Sequence, residues 1–165
     1  MQSRAIFNIF ISALPSTRLF AFKRLLLKLF NVNVSAGVCI NGGLKIYGRG
    51  PLFFGANSWI GLNTHIYLSA ESGLYIGENC DIAPEVIFHG GSHDIGDSLR
   101  RAGAGIGRDI TIGRGSWIGT RVTILSGCDL GEGCIVAAGA VLINKKYPAN
   151  SIIAGVPAIV IKSLQ

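Results

Sequence analysis

Residues 106–141 read IGRDIT-IGRGSW-IGTRVT-ILSGCD-LGEGCI-VAAGAV, and Leu142 opens a further unit in the same register. An aliphatic residue returns at every sixth position: Ile106, Ile112, Ile118, Ile124, Leu130, Val136 and Leu142. The second position is mostly Gly, and the fifth is Ile, Ser, Val, Cys, Cys and Ala in turn. Side chains on a strand alternate between two faces, so a repeat of even length keeps the same positions inward on every flat side. Gly at the second position is expected to let the chain turn without a Cβ clash. Three hexapeptides then close one triangular coil, and coils stack at the strand spacing of about 4.8 Å. One coil alone buries nothing, so the column gains its stability jointly.

Working outward, the register recurs before this stretch. Ile40, Ile46 and Leu52 are six apart, as are Ile60 and Ile66, and Ile76, Ile82 and Phe88. The phase slips near 53–59 and 67–75 and breaks at 89–105, where a loop excursion is expected while stacking continues on both sides. The reading is an all-β parallel β-helix over residues 36–155, with a helical segment at 1–35 and an extension at 156–165. Composition agrees. The 165 residues are 49% hydrophobic and 15% charged, with 23 Gly, which suits short strands and frequent turns and disfavours disorder. Of the four Cys, Cys80, Cys128 and Cys134 fall at the fifth position of a hexapeptide, where the prism needs small residues. With no CxxC and no dense Cys pattern, they read as reduced thiols of a cytoplasmic protein rather than as disulfides or a zinc site.

The net charge is +6, and residues 1–50 contain Arg4, Arg18, Lys23, Arg24, Lys28, Lys45 and Arg49 with no acid before Glu71. Residues 5–14 imitate a short signal sequence but lack a cleavage site, and the run is too short for the ~20 apolar residues of a membrane span. It is read as retained. Ser16 or Thr17 is expected to cap a basic, Leu/Phe-rich helix over 18–30, with Leu19, Phe22, Leu26, Leu29 and Phe30 on its apolar side. That side either packs on the protein or lies on the inner face of a membrane as a peripheral contact. Basic residues without interleaved aromatics argue against nucleic acid. Gly103-Ala-Gly-Ile-Gly107 lacks the strand–helix context of a dinucleotide loop.

Trp117-Ile-Gly-Thr-Arg-Val, the run through Ala138-Gly139-Ala140, Tyr147-Pro-Ala-Asn and Ile153-Ala-Gly-Val-Pro-Ala158 together resemble the hexapeptide-repeat acyltransferases. The nearest branch is the bacterial sugar O-acetyltransferases, galactoside, maltose and polysaccharide enzymes among them. The resemblance spans about 40–162 and is most specific over 106–162. It implies a left-handed coil, against the usual right-handed crossover. It also implies a homotrimer with sites between subunits, acetyl-CoA as co-substrate, no metal, and a sugar or glycan acceptor. O-acetylation needs a base near neutrality, which favours His. His93 in Gly-Gly-Ser-His-Asp matches the family's catalytic position. His89 is the alternative, and Asp94 is a candidate to orient the base.

By the same resemblance, Asn63 contacts the acceptor, although a corner Asn in left-handed conformation explains it equally. Trp117 walls the acyl and acceptor site, or packs an interface. Gly119, Thr120, Ala137, Ala138 and Gly139 let the pantetheine arm approach the backbone, with Thr120 near the thioester oxygen. Lys145, Lys146 and Lys162 are the cations for the nucleotide phosphates. Lys162 matches a basic family position, whereas Ile159 stands where the family has a second one. Three alternatives remain: a small acceptor such as a free sugar, amino sugar or antibiotic; a γ-carbonic-anhydrase-like metalloenzyme using three His; and a non-catalytic β-solenoid.

Overall fold

A computed structural model describes residues 4–165, so the first three residues of the N-terminal segment lie outside the described chain. Helix α1 (Arg4–Ser12) and helix α2 (Phe20–Leu29) precede a column of short parallel strands. The first face is formed by Asn33–Val34, Leu52–Phe54, Leu74–Ile76, Ile110–Ile112, Asp129–Leu130 and Lys146–Tyr147. The second runs through Cys39–Ile40, Trp59–Ile60, Asp81–Ile82, Trp117–Ile118, Ile135–Val136 and Ser151–Gly155. The third contains Lys45–Gly48, His65–Leu68, Ile87–His89, Thr123–Leu125 and Val141–Leu142.

Vertical pairing follows the sixfold register. Val34 lies beside Phe54, Phe54 beside Ile76, Ile76 beside Ile112, and Ile112 beside Leu130. On the second face Ile60, Ile82, Ile118, Val136 and Ile153 form the same kind of stack. All of these side chains are buried. Cys80, Cys128 and Cys134 are buried at the fifth position. Burial raises each of these thiols above its ordinary range, Cys128 to about 12 with Asp129 adding to the effect. They are inert fillers of the prism.

The corners work differently from the expectation. The left-handed backbone falls at the fourth hexapeptide position, at Asn57, Asn63, Asn79, Arg121 and Gly133. Gly at the second position serves close stacking between coils. A Cβ on Gly113 would lie 2.4 Å from the Gly131 carbonyl carbon, and one on Gly119 would lie 2.6 Å from the Ala138 nitrogen. Ile106 also departs from the reading: it sits half-buried in an arm, and the column resumes with Ile110 and Ile112.

That arm is an antiparallel hairpin, Gly91–Ile95 against Ala102–Gly107, leaving the edge between the third and first faces. The opposite end of the chain is tied down as well. Strand Ala158–Ser163 folds back antiparallel on Ser151–Gly155, so residues 156–165 extend the second face rather than trail from it.

The N-terminal helices cap the first coil, and here the helix expectations change. Leu19, in left-handed conformation at φ 57°, precedes α2, and no side chain caps it. Neither Ser16 nor Thr17 takes that role. The buried side of α2 carries Lys23, Leu27 and the following Phe30, while Leu19, Phe22 and Leu29 face solvent. Hydrogen bonding decides this rotation. Lys23 Nζ donates to the carbonyls of Ile40 at 2.9 Å and Ser16 at 3.0 Å, and Arg24 donates to Val38 O at 2.9 Å. Arg4 donates to Gly50 O at 2.6 Å, and the Asn8 amide bonds both the N–H and the carbonyl of Ile46. Strand edges leave such groups unpaired. Much of the N-terminal positive charge is therefore spent closing the open end of the column.

Candidate active site

Tight turns of the same kind stack along the edge between the second and third faces. Gly61, Ala83, Gly119 and Ala137 lie one above another there, followed by Asn63, Glu85, Arg121 and Gly139 at the left-handed position. Coil-to-coil bonds hold the ridge. Thr120 Oγ1 donates to Pro84 O at 2.8 Å, Gly139 N donates to Thr120 O at 2.9 Å, and Arg121 pairs with Glu85. Asn63 N bonds to Gly42 O, and its side-chain oxygen lies over Gly43. Trp117 stands one step before the ridge on the second face, with its side chain 55% exposed. Nothing lies within 4 Å of the point where a Cβ on Gly139 would project. The backbone at Gly139 is therefore open to a slender approaching group.

The edge between the third and first faces carries two histidines. His89 ends strand Ile87–His89, and His93 sits on the arm. His93 Nδ1 lies 3.0 Å from Gly103 O across the hairpin, and His89 Nδ1 lies 2.9 Å from Gly91 O. A carbonyl only accepts, so Nδ1 carries the proton in each ring and the Nε2 lone pair is left to act as a base. The orienting group of His93 is thus the Gly103 carbonyl, where the sequence reading offered Asp94. A backbone oxygen has no residue-type signature, so sequence could not name it.

His93 and His89 line one cavity of about 430 Å³ with Ser69, Glu71, Ser92 and Gly105. A second cavity of about 270 Å³ shares Ser69, His89 and Gly91 with it and continues to Tyr67 and Tyr47. Those rings stack at 4.9 Å with an interplanar angle of 7°, and Tyr67 meets His89 at 5.5 Å. The signal for this wall was present in the sequence. Tyr47, Tyr67 and His89 each follow an inward residue, Ile46, Ile66 and Phe88, and so point outward on in-register strands.

One chain does not unite the two groups. Asn63, Trp117, Gly119, Thr120, Ala137 and Ala138 belong to the ridge, whereas the cavity of His93 is lined from the arm edge. Lys145 and Lys146 lie on the arm edge in the last coil, Lys146 3.5 Å from Asp129 and Lys145 over the Tyr147 ring. Lys162 and Ile159 lie in the terminal strand Ala158–Ser163, both exposed. Among the described residues no group of three or more His, Cys, Asp or Glu side chains is placed to hold a metal ion.

A family profile described as bacterial transferase hexapeptide (six repeats) matches residues 109–144. The galactoside O-acetyltransferase of Escherichia coli strain K12 is 33% identical over 120 residues, covering 69% of this chain and 59% of that protein. This chain thus spans less than two thirds of that relative. The putative lipopolysaccharide biosynthesis O-acetyl transferase WbbJ of the same strain is 31% identical over 145 residues, covering 81% of this chain and 70% of that one. A solved galactoside acetyltransferase in complex with coenzyme A superimposes with TM-score 0.75 at 24% identity, covering 98% of this chain and 79% of that one. The shared fold is the left-handed parallel β-helix.

Proposed function

The chain belongs to the hexapeptide-repeat acetyltransferases, and on that premise we propose that it moves an acetyl group from acetyl-CoA to a hydroxyl of a sugar in a surface polysaccharide or its lipid-linked precursor. The observation that carries the reading is the pairing of His93 Nδ1 with Gly103 O at 3.0 Å on a residue that lines the arm cavity, which leaves Nε2 as the ring nitrogen available to take a proton. His93 takes the proton of the acceptor hydroxyl as its oxygen attacks the acetyl carbon. The proton then leaves on the departing thiolate sulfur, which closes the cycle. Charge developing on the thioester oxygen needs a donor. The Thr120 hydroxyl is committed to Pro84 O, so the donor at that position is the backbone N–H. Bound acetyl-CoA supplies the activated acyl group, held along Gly119, Ala137, Ala138 and Gly139, with Lys145, Lys146 and Lys162 available for its phosphates.

Base and ridge come together when the arm of one subunit meets the ridge of its neighbour, which a homotrimer of parallel columns provides. Asn63 and Trp117 of the ridge then flank the acceptor. The groove beyond His93 supports a glycan over a single small sugar, since it runs past His89 to Tyr67 and Tyr47 with both ring edges and hydroxyls in its wall. Buried, unpaired Cys80, Cys128 and Cys134 are in keeping with the cytoplasm. Purified protein with acetyl-CoA and a panel of sugars from one to six units tests the reading, with free thiol as readout. Thiol release that depends on a sugar and is lost in His93→Ala is expected. Release that no sugar stimulates sinks the proposal.

A further inference from the structure

The way α2 is rotated leaves an unusual surface at the N-terminal end of the column. Lys23 and Arg24, which an isolated amphipathic helix would turn to water, are drawn onto the carbonyls of Ser16, Ile40 and Val38. Two of the cations of α2 therefore face the protein, and Phe22, Leu25 and Leu29 form a stripe on the other side, with Leu29 61% exposed. Leu19 precedes the stripe and is also exposed. On α1, Phe7 and Ile11 are buried while Ile6, Ile9 and Phe10 face out, Ile9 at 71%. Residues three and four apart share a helix face, so each helix presents one continuous apolar strip.

Six large apolar side chains on two adjoining helices, with Leu19 just before the second, exceed the scattered exposure normal for a protein surface. Both helices lie against the strands of the first coil, so the apolar strips sit at the end of the column, away from its long faces. Charge narrows the occupant. Arg18 and Lys28 are exposed beside the α2 strip, and no acidic residue occurs before Glu71. None of the described helices is long and apolar enough to cross a membrane, so the strips are suited to lying on a bilayer rather than spanning it.

We infer that this end of the protein docks on an anionic phospholipid surface. Ile6, Ile9, Phe10, Leu19, Phe22, Leu25 and Leu29 enter the headgroup–acyl boundary, and Arg18 and Lys28 meet lipid phosphates. In columns assembled in parallel about a threefold axis, all three caps face one plane and engage the surface together, which multiplies a weak single contact. That last step rests on the trimeric reading above; the docking of one cap does not.

Vesicle flotation of the full-length protein tests this, comparing vesicles of equal parts phosphatidylglycerol and phosphatidylcholine with vesicles of phosphatidylcholine alone. Wild type floats with the anionic vesicles and largely stays behind with the neutral ones, and raised salt weakens its flotation. Phe10→Glu with Phe22→Glu changes only exposed positions, and partitioning falls at least tenfold, as loss of two apolar anchors requires. Arg18→Glu with Lys28→Glu lowers partitioning on anionic vesicles alone. Thermal melting and light-scattering mass run beside each variant and stay at the wild-type values. Equal flotation of wild type and the Phe10/Phe22 variant overturns the inference, as does wild type that binds neither vesicle. A lower mass for that variant overturns it too, because the strips would then join copies of the chain. Acetyl transfer to soluble sugars is unaffected by the variants, so failure of docking is told apart from failure of the acetyltransferase reading.

Discussion

Two edges of the same prism are built from one repeat and do opposite things. Along the ridge the hexapeptide runs without interruption, and each turn is closed by a residue in left-handed conformation such as Asn63, Arg121 or Gly139. Along the arm edge the turns vary, and one becomes the hairpin that carries His93. The ridge gains uniformity, which sets the same turn in line along the column. The arm edge gives up some of that regularity and gains a histidine, His93, whose Nδ1 is held by a carbonyl of its own hairpin. In the proposed reading the regular coils supply a binding track and the irregular ones supply chemistry, so neither edge is a site by itself.

Experiments that separate the edges follow in order of expected size. His93→Ala is expected to lower turnover by ~10²–10⁴ with little change in acetyl-CoA affinity, measured by steady-state thiol release. A near-normal rate would transfer the role of base to His89, whose Nδ1 is bonded in the same way.

Mixing chains tests whether the edges meet between subunits. His93→Ala disables an arm, and Ala138→Trp, at an exposed position, blocks a ridge. Each variant alone is expected to be inactive. Co-expressed at equal levels, they should recover about a quarter of wild-type activity, because that share of interfaces joins an intact arm to an intact ridge. No recovery would mean that each chain works with its own ridge.

Asn63 has φ 55° and Asn79 has φ 54°, so Gly is tolerated by the backbone at both. Asn63→Gly should raise the acceptor KM roughly three- to tenfold, the loss of one hydrogen bond, and leave the melting temperature nearly unchanged. Asn79→Gly serves as the matched corner and should alter neither. Equal KM values in the two variants would reduce Asn63 to a corner residue.

A smaller effect concerns the core shared by both edges. The buried Cys128 thiol titrates near 12, against an ordinary value of 9.0. Its folded-state value is raised, so between those values the unfolded chain has lost a proton that the folded chain keeps. Stability present below pH 9 should therefore fall above it by up to about 1.4 kcal/mol per pH unit from this thiol. Denaturant melts of wild type and Cys128→Ala across that range check the slope, which the variant should lose in part.

Fold and site differed in how far they could be read from the chain. The inward column at Ile112, Ile118, Ile124, Leu130, Val136 and Leu142 was legible because period two on a strand and period six in the sequence admit one arrangement. Ile106 misled, since its spacing continues the series although the hairpin has already taken it out of the coil. Glycines at the second position were recognised for the wrong reason, because close approach of a neighbouring coil is a property of stacking and has no local mark. His93 was named as a candidate by resemblance, but the Gly103 carbonyl that bonds its Nδ1 has no mark in the sequence.

The sequence by itself determined the β-helix and the small buried thiols, because each follows from a short repeat acting through local geometry; the residues along the ridge were named by resemblance to the family. Only the tertiary structure decided which way α2 turns. Periodicity groups Leu19, Phe22 and Leu29 on one apolar side without saying whether that side packs inward, and unpaired carbonyls of the first coil draw Lys23 and Arg24 inward instead. An unsatisfied strand edge costs more than exposed leucine, and its location appears only when the column has been stacked. The same holds for the candidate site, whose proposed halves lie on different edges of one chain.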